Sequence, residues 1–554
     1  MKRSTGAVHP ARFTAAIFAL AVALAAVAGA AAFSRAKAAD TPAQQVLPAP
    51  SITIRSEWPG YLGPNGNFSE NSGARLLDDM TQARLVWVSE EKGIGFGKAH
   101  TAAGKTGVGA QFQGLPPGGE ASPIVAGGLV IMSYFVPRGD VWDAEVEKRM
   151  GGAFEKHVWL VSADDVVIGI DAATGKTRWK QVFADKGINT GAGKRGGWAA
   201  TPCAADGRVF ALGTTGRLYC LDLATGRPLW ESDIGPVHKR LEEAKAKGLA
   251  DHRMASEIAK VSRPYAMLLA VDGVLLSPDW ESGLLGIDAA SGKVLWTLGK
   301  GRPGPILSGF NAPCPVKIGD KTYVVCVNSR GDLRLVDPKA GNVMWTVALR
   351  CEHLTFAVPG SSRIMVFESH PKYDEAKQEG INQVGILAGY RFDAGGATRA
   401  WVLPADRAEL AHELKLDAGP ARRVICRDGL VYYLARSKRA DAKSYRLLIL
   451  REEDGSILKE QEVNAGQIYL WGNRLITVTD LQHRPRAANP EIWQMYAADP
   501  GNFGPLGGAW HVNNPQNPVH VATGGYEVPV YEAFADGFLF ARVMGGIRCY
   551  DLRR

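Results

Sequence analysis

Ile168-Gly-Ile-Asp171-Ala-Ala-Thr-Gly175-Lys-Thr-Arg-Trp179 is followed along the chain by Tyr219-Cys-Leu-Asp222-Leu-Ala-Thr-Gly226-Arg-Pro-Leu-Trp230, Leu285-Gly-Ile-Asp288-Ala-Ala-Ser-Gly292-Lys-Val-Leu-Trp296 and Leu335-Val-Asp337-Pro-Lys-Ala-Gly341-Asn-Val-Met-Trp345. In each stretch an apolar run ends in Asp, whose carboxylate can accept a backbone hydrogen bond two residues on. Gly four residues later takes the positive φ that closes a hairpin. The returning strand ends in Trp, whose flat indole suits packing between neighbouring sheets and whose N–H needs an acceptor. One copy alone would be ordinary hairpin chemistry. Four copies, with Asp spaced 51, 66 and 49 residues apart, mark an internal repeat.

Weaker copies run from Asp393 to Trp401, through Glu453-Asp-Gly455 to Leu458, from Asp499-Pro-Gly501 towards Trp510, and finally through Cys549-Tyr550-Asp551-Leu552. Two further strand candidates precede each hairpin, as in Trp198-Ala-Ala-Thr-Pro202-Cys203 and Gly207 to Gly213 before Leu218 to Asp222. Four antiparallel strands in a period near fifty residues describe a propeller blade. Third strands end at Asp171, Asp222, Asp288, Asp337, Asp393, Glu453, Asp499 and Asp551, so the expected fold is all-β, an eight-bladed β-propeller of four-stranded antiparallel blades. The last unit stops after its third strand, and Leu85 to Ser89 reads as an orphan fourth strand. Pairing the two would close the ring with an N-terminal strand and leave no incomplete sheet. The organisation expected is a leader over 1–39, an extension over 40–83 and a propeller over 84–554.

The leader has a basic start, an apolar run from Phe13 to Phe33 and an Ala36-Lys37-Ala38 cleavage pattern, which together read as an export signal. The run is also long enough for an uncleaved anchor, and either way the basic flank places the remainder outside the cytoplasmic membrane, in the periplasm or beyond. The first cysteine is Cys203, so a lipoprotein anchor is excluded. Lys2, Arg3, Arg12, Arg35 and Lys37 lie in this segment without an acid; removing those five from the formal +8 leaves +3, too balanced for a phosphate-binding stripe, and no nucleic-acid partner is expected. The seven cysteines show no metal or haem spacing, and the one pairing conceivable across a hairpin is Cys314 with Cys326. Pro137 to Asp164, His238 to Lys260, Pro371 to Gln383 and His483 to Glu491 read as polar insertions between strands, the second as an exposed helix or helix pair.

The four good copies, with Trp58-Pro59-x-x-x-Gly63-Pro64-x-Gly66 ahead of them, resemble the PQQ-like (pyrroloquinoline-quinone-like) repeat proteins. The resemblance is strong over 165–346 and architectural over about 55–554. That family includes quinoprotein alcohol dehydrogenases, which hold PQQ and calcium on the ring axis, and non-catalytic members such as an outer-membrane assembly factor. The dehydrogenases carry two adjacent cysteines over the quinone; here no two cysteines adjoin. The repeat Asp residues are committed to turns, and no cluster offers the six to eight oxygens that calcium takes. The expectation is therefore a monomeric binding or scaffold module, with no cofactor and an envelope protein or small polar ligand as partner. The alternative is a PQQ- and calcium-dependent alcohol or sugar dehydrogenase. An axial ligand would meet the starts of the innermost strands, placed at Trp198, Arg263, Asn311, His353, Arg422, Gln467 and Tyr526. The two arginines could pair a carboxylate and the aromatics could stack, the alternative being a hydrated channel.

Overall fold

The computed structural model describes residues 52–94, 117–119, 121–138, 162–188, 200–234, 239, 243, 267–278, 283–299, 313–327, 332–349, 357–369, 384–403, 412–413, 424–436, 445–463, 465–478, 492–511, 532–543 and 545–554. Eight sheets, each built on four antiparallel strands and two of them carrying a short fifth, make an eight-bladed propeller. Blade 1 runs Ile124–Ala126, Leu129–Pro137, Ser162–Asp171 and Thr177–Ile188; blade 2, Cys203–Ala205, Arg208–Leu212, Arg217–Asp222 and Pro228–Asp233. Blade 3 follows with Leu269–Val271, Val274–Pro278, Leu284–Asp288 and Val294–Leu298, and blade 4 with Cys314–Ile318, Lys321–Val327, Asp332–Val336 and Val343–Ala348. Blade 5 is Ala357–Pro359, Arg363–Ser369, Val384–Phe392 and Ala397–Val402; blade 6, Val424–Arg427, Leu430–Arg436, Tyr445–Arg451 and Ile457–Val463. Blade 7 comprises Gln467–Trp471, Arg474–Val478, Ile492–Ala497 and Gly504–His511. Blade 8 takes Ala533–Ala535, Phe538–Val543 and Gly546–Asp551 from the C-terminus and Arg84–Val88 from the other end of the chain.

That last pairing is antiparallel, with Leu85 opposite Tyr550 and Trp87 opposite Cys549. Asp551 anchors it through Arg84 at 2.9 Å and Arg553 at 2.8 Å. Two distant segments thus build one sheet, and the blade has no missing strand.

The repeat residues act across the blade boundaries. Asp171 Oδ1 accepts from Ala173 N and Thr174 N, and Asp222 and Asp288 hold Thr225 and Ser291 in the same way. Gly175, Gly226, Gly292 and Gly341 all have φ between 70° and 75°. Each also lies flat against the indole of the preceding blade: a Cβ on Gly226 would stand 2.5 Å from Trp179, and one on Gly341 2.5 Å from Trp296. On its other side Trp179 covers Gly169 of its own third strand, where a Cβ would come within 2.3 Å. Glycine on both faces lets the sheets close around a ring system that fills the gap.

The indole N–H then bonds forward to a turn carbonyl of the next blade. Trp87 donates to Ala172 at 3.1 Å, Trp179 to Leu223 at 3.0 Å, Trp230 to Ala289 at 3.1 Å, Trp296 to Pro338 at 2.9 Å, Trp345 to Asp393 at 2.8 Å and Trp401 to Glu452 at 2.9 Å. Blade 7 has Leu506 in the place of this Trp, opposite Met495, and blade 6 has Lys459, opposite Ile449. The bond forward from blade 6 comes instead from the second strand, where Tyr432 Oη donates to Ala498 O at 2.9 Å. At the last boundary the carbonyl of Leu552 accepts from Leu77 N at 2.8 Å while Trp510 sits edge-on to Tyr550. Each such bond contributes about 1 kcal/mol net, and the buried rings contribute more.

Some sequence expectations need adjustment. Cys314 and Cys326 are not paired with each other: the register sets Cys314 opposite Val325, so the pleat turns Cys326 to the other face of the sheet. Both ends of the stretch Pro137 to Asp164 are strand, with Pro137 paired to Ala163 and Val136 to Asp164. In blade 6 the third strand ends at Arg451, two residues before Glu453, and Asp454 takes over the turn by accepting from Ser456 N. Of the insertion His238 to Lys260, only Lys239 and Glu243 are described; both are helical and form an i,i+4 ion pair at 4.0 Å. The leader and the insertions Pro371 to Gln383 and His483 to Glu491 lie outside the described residues.

Candidate binding face and axial channel

Because the strands alternate in direction, the connections between first and second strands and between third and fourth strands share one end of the blades. Those between second and third strands and between successive blades share the other. The first end consists of tight turns, such as Asp206-Gly207, Asp272-Gly273, Asp428-Gly429 and Asp536-Gly537, in which both residues have positive φ. Every long connection leaves from the second end, among them 234 to 267, 369 to 384 and 511 to 532.

The tight-turn end is crossed by the extension that precedes the ring. Ser56 N donates to Asp536 Oδ2 at 2.9 Å in blade 8, and Trp58 exchanges two backbone bonds with Val125 in blade 1. Pro59 O accepts from Ala204 N in blade 2, Gly66 O from Cys314 Sγ in blade 4, and Asn67 Nδ2 donates to Cys426 O in blade 6. Ser69–Glu70 adds as a parallel strand to Gln467–Trp471 in blade 7. All of these partners belong to first strands or their hairpins, so a single strap ties the inner walls of six blades.

The W-P-x-x-x-G-P-x-G pattern makes the strap. Trp58 is 1% exposed, and Gly63, with φ of 76°, lies over its indole where a Cβ would come within 2.8 Å. Gly63 N and Phe68 N return to Gly60 O and Leu62 O. Tyr61 then packs edge-on to Phe68, and Phe68 to Tyr469 of blade 7. Aromatic side chains of the chain itself therefore fill the space beside the inner strands at this end.

At the opposite end, polar ties join the starts of the first strands in blades 7, 8, 1 and 2. Tyr469 Oη donates to Glu532 Oε2 at 2.6 Å, and Arg542 donates to Ala121 O at 2.8 Å. Ser122 N donates to Thr201 Oγ1 at 2.9 Å, and Ser133 Oγ to Ala200 O at 2.7 Å. Farther out, between blades 1 and 2, Asp165 accepts from Thr214 N, Thr214 Oγ1 and Tyr219 Oη. Burial raises the carboxyl of Asp165 above its ordinary range despite those bonds. In blade 5, Glu368 accepts from Tyr390 Oη and from Arg399.

Of the seven axial positions read from the sequence, Trp198, Arg263, Asn311, His353, Arg422 and Tyr526 lie outside the described residues. Each precedes the first residue of its inner strand, which begins at Cys203, Leu269, Cys314, Ala357, Val424 and Ala533 respectively. Gln467 does open its strand, half-buried, with Nε2 3.5 Å from the hydroxyl of Tyr469. Glu532 was not singled out from sequence, since a lone Glu before a three-residue strand carries no signal. The Asp-Gly pairs, by contrast, are hairpin signals that locate the closed end without a structure.

A quinone–calcium centre would sit on the ring axis, and most of the axial positions named above lie outside the described residues. Among the described residues no three His, Cys, Asp or Glu side chains converge to hold a metal ion. The six described cysteines lie on separate strands, and burial pushes the thiols of Cys220 and Cys314 up to about 12 and that of Cys326 up to about 11.

The sequence profile of the family described as "Outer membrane protein assembly factor BamB" matches residues 137–242 and 163–461, more than half of the chain. No curated protein matches. Among solved structures, BamB from Moraxella catarrhalis is similar at 10% identity and a TM-score of 0.41, over 70% of this chain and 91% of that one. Quinohemoprotein alcohol dehydrogenase ADHIIG from Pseudomonas putida HK5 is similar at 13% and 0.37, over 69% and 70%. The quinohemoprotein alcohol dehydrogenase of Comamonas testosteroni follows at 14% and 0.38, over 94% and 81%. With its Asp-to-Trp repeat built into eight blades and the family profile matched within that ring from 137 to 461, the chain belongs to the PQQ-like β-propeller family described as outer membrane protein assembly factor BamB.

Proposed function

We propose that this protein is an exported, non-enzymatic scaffold of the cell envelope, and that it engages a protein partner through the end of the ring that carries the long connections. The observation behind this reading is the asymmetry of the two ends. One is tight turns bound over by the strap, and the other receives every long connection, the usual place for function on a rigid scaffold. Family membership supports a partner in envelope assembly, and the leader supports export. No adjacent cysteines and no described acid cluster support quinone chemistry.

The test places a photo-crosslinking residue at Lys239, on the long-connection end, or at Asp272 or Asp428, on the tight-turn end, in cells of the native host. A discrete cross-linked protein from Lys239 alone, in the envelope fraction, is the expected outcome. Cross-links only from the tight-turn positions would reject the face. Adding PQQ and calcium to the purified protein gives the second arm: bound quinone absorbance with alcohol- or sugar-dependent dye reduction would replace the scaffold reading by the dehydrogenase one.

A further inference from the structure

Each blade presents the edge of its fourth strand to the outside of the ring, with a row of N–H and C=O groups that have no neighbouring strand among the described residues. Proteins commonly protect such edges with charges or by covering them. Five of the eight edges here carry charge within the strand: Arg84 in blade 8; Arg178, Lys180 and Lys186 in blade 1; Glu231 and Asp233 in blade 2; Arg399 in blade 5; and Lys459, Glu460 and Glu462 in blade 6. A sixth, Gly504–His511 of blade 7, has no such charge but is covered by the chain itself. Gly508 N donates to Asp79 Oδ1 at 3.1 Å, and Gly507 and Gly508 leave no room for a Cβ against Asp79 and Thr81.

Two edges are neither charged nor covered among the described residues, and they belong to adjacent blades: Val294-Leu-Trp-Thr-Leu298 of blade 3 and Val343-Met-Trp-Thr-Val-Ala348 of blade 4. All the exposed large apolar side chains among the described residues lie on fourth strands, Val182 of blade 1 at 42% and Val88 of blade 8 at 40% included, but these two edges alone carry two apiece. Val294 and Leu295 are each 50% exposed, Met344 is 40% and Val343 37%. The register shift just before the Trp turns two consecutive apolar side chains outward in each strand. The equivalent positions in blade 1 are Thr177 and Arg178, so exposure of apolar residues is not a demand of the repeat.

The molecule shows how sheet edges of this ring are completed. Arg84–Val88 adds to the third strand of blade 8, Ser69–Glu70 to the first strand of blade 7, and His412–Glu413 to the third strand of blade 5, each from a segment outside its blade. We propose that the fourth strands of blades 3 and 4 are docking edges for an extended, uncharged, apolar-alternating segment of a partner polypeptide, which pairs as a fifth strand. Backbone bonding supplies the affinity. Val294, Leu295, Val343 and Met344 select against charged segments, because a charge set among them loses hydration without a partner. This site is separate from the end proposed above to carry the long connections, and its test does not depend on that reading.

The probe is a short acetylated and amidated peptide of alternating Val and Thr, kept below the concentration at which it self-associates, added to the full-length protein. Hydrogen exchange is followed over 294–298 and 343–348, with 177–188 and 457–463 as charged-edge controls. Saturable slowing of about tenfold confined to the two uncharged edges is expected, and it should disappear in the double variant Leu295→Lys, Met344→Lys. No slowing, or equal slowing at the controls, overturns the proposal. Concentration-dependent protection of 294–298 and 343–348 without peptide also overturns it, since the occupant would then be a second copy of this chain. The variant's unchanged thermal unfolding certifies that lost protection is not lost folding; should it unfold early, Leu295→Thr, Met344→Thr at the unchanged backbone is read instead, with at least a threefold weaker peptide affinity expected and an unchanged one counting against the site.

Discussion

The hydroxyl of Tyr432 donates to the carbonyl of Ala498 at 2.9 Å, across the boundary at which blade 6 carries Lys459 in the place of an indole. The acceptor occupies the same turn position in blade 7 that Ala172, Leu223 and Ala289 occupy in theirs. One interaction is thus conserved around the ring while the residue, and even the strand that supplies it, changes. Replacing Tyr432 by Phe keeps the buried ring and removes only the bond, leaving the carbonyl of Ala498 without its donor. The expected cost is about 1–3 kcal/mol. Thermal unfolding should show Tyr432→Phe below the parent; an unchanged transition would mean that this boundary holds by apolar contact alone.

Gly226 and Gly273 share a positive φ, 70° and 79°, but a Cβ on Gly226 would meet the Trp179 indole at 2.5 Å while one on Gly273 meets nothing. Gly273→Ala should therefore cost only the backbone strain of a left-handed residue, about 1–2 kcal/mol. Gly226→Ala adds a clash with a ring that cannot move without opening the boundary, and should cost at least about 1–3 kcal/mol more. Comparing the two melting temperatures separates the conformational requirement from the steric one. Equal shifts would show that the glycine is kept for its φ alone.

These two sites mark the limits of what could be read in advance. The Asp-to-Trp unit was legible because turn chemistry and a terminal indole recur at fixed spacing, and eight of them imply eight blades. Tyr432 was not legible, since it lies on a second strand where an apolar aromatic is unremarkable. The strap was quoted as a motif, but its partners Val125, Cys426 and Leu470 are far away in sequence, and no local pattern points to them. Runs as short as Cys203–Ala205 are too brief for alternation to define where the inner strands start.

Asp165 yields a pH prediction of unusual sign. Burial raises its folded pKa, so between the ordinary carboxyl value near about 4 and that raised value the folded state binds more protons than the unfolded one, and stability falls as pH rises. Asp165→Asn keeps an acceptor for Thr214 and can donate to Tyr219 Oη while removing the buried charge. The variant should gain on the parent progressively as pH rises through that window and remain at least as stable above it. Melting curves taken from pH 4 to pH 8 check this. A variant less stable at every pH would show that the carboxylate form is the one the site prefers.

Asp551 has the opposite sign, and it sits where the ring closes. Burial works to raise its pKa, but the bonds from Arg553 and Arg84 together outweigh burial and leave the carboxyl below its ordinary range. The unfolded chain therefore binds the proton first. The stabilisation is complete above about pH 4 and is lost as pH falls through the depressed folded value. Asp551→Asn should lower the melting temperature at pH 7, and the gap to the parent should narrow steadily as acid titrates the parent's own carboxylate. Because Arg84 comes from the added N-terminal strand, that strand should open first. Hydrogen exchange over 84–88 is expected to quicken in the variant at neutral pH before exchange in blades 2 to 6 responds. Uniform quickening around the whole ring would instead mean that the blades melt as one unit, with no weak seam at the closing strand.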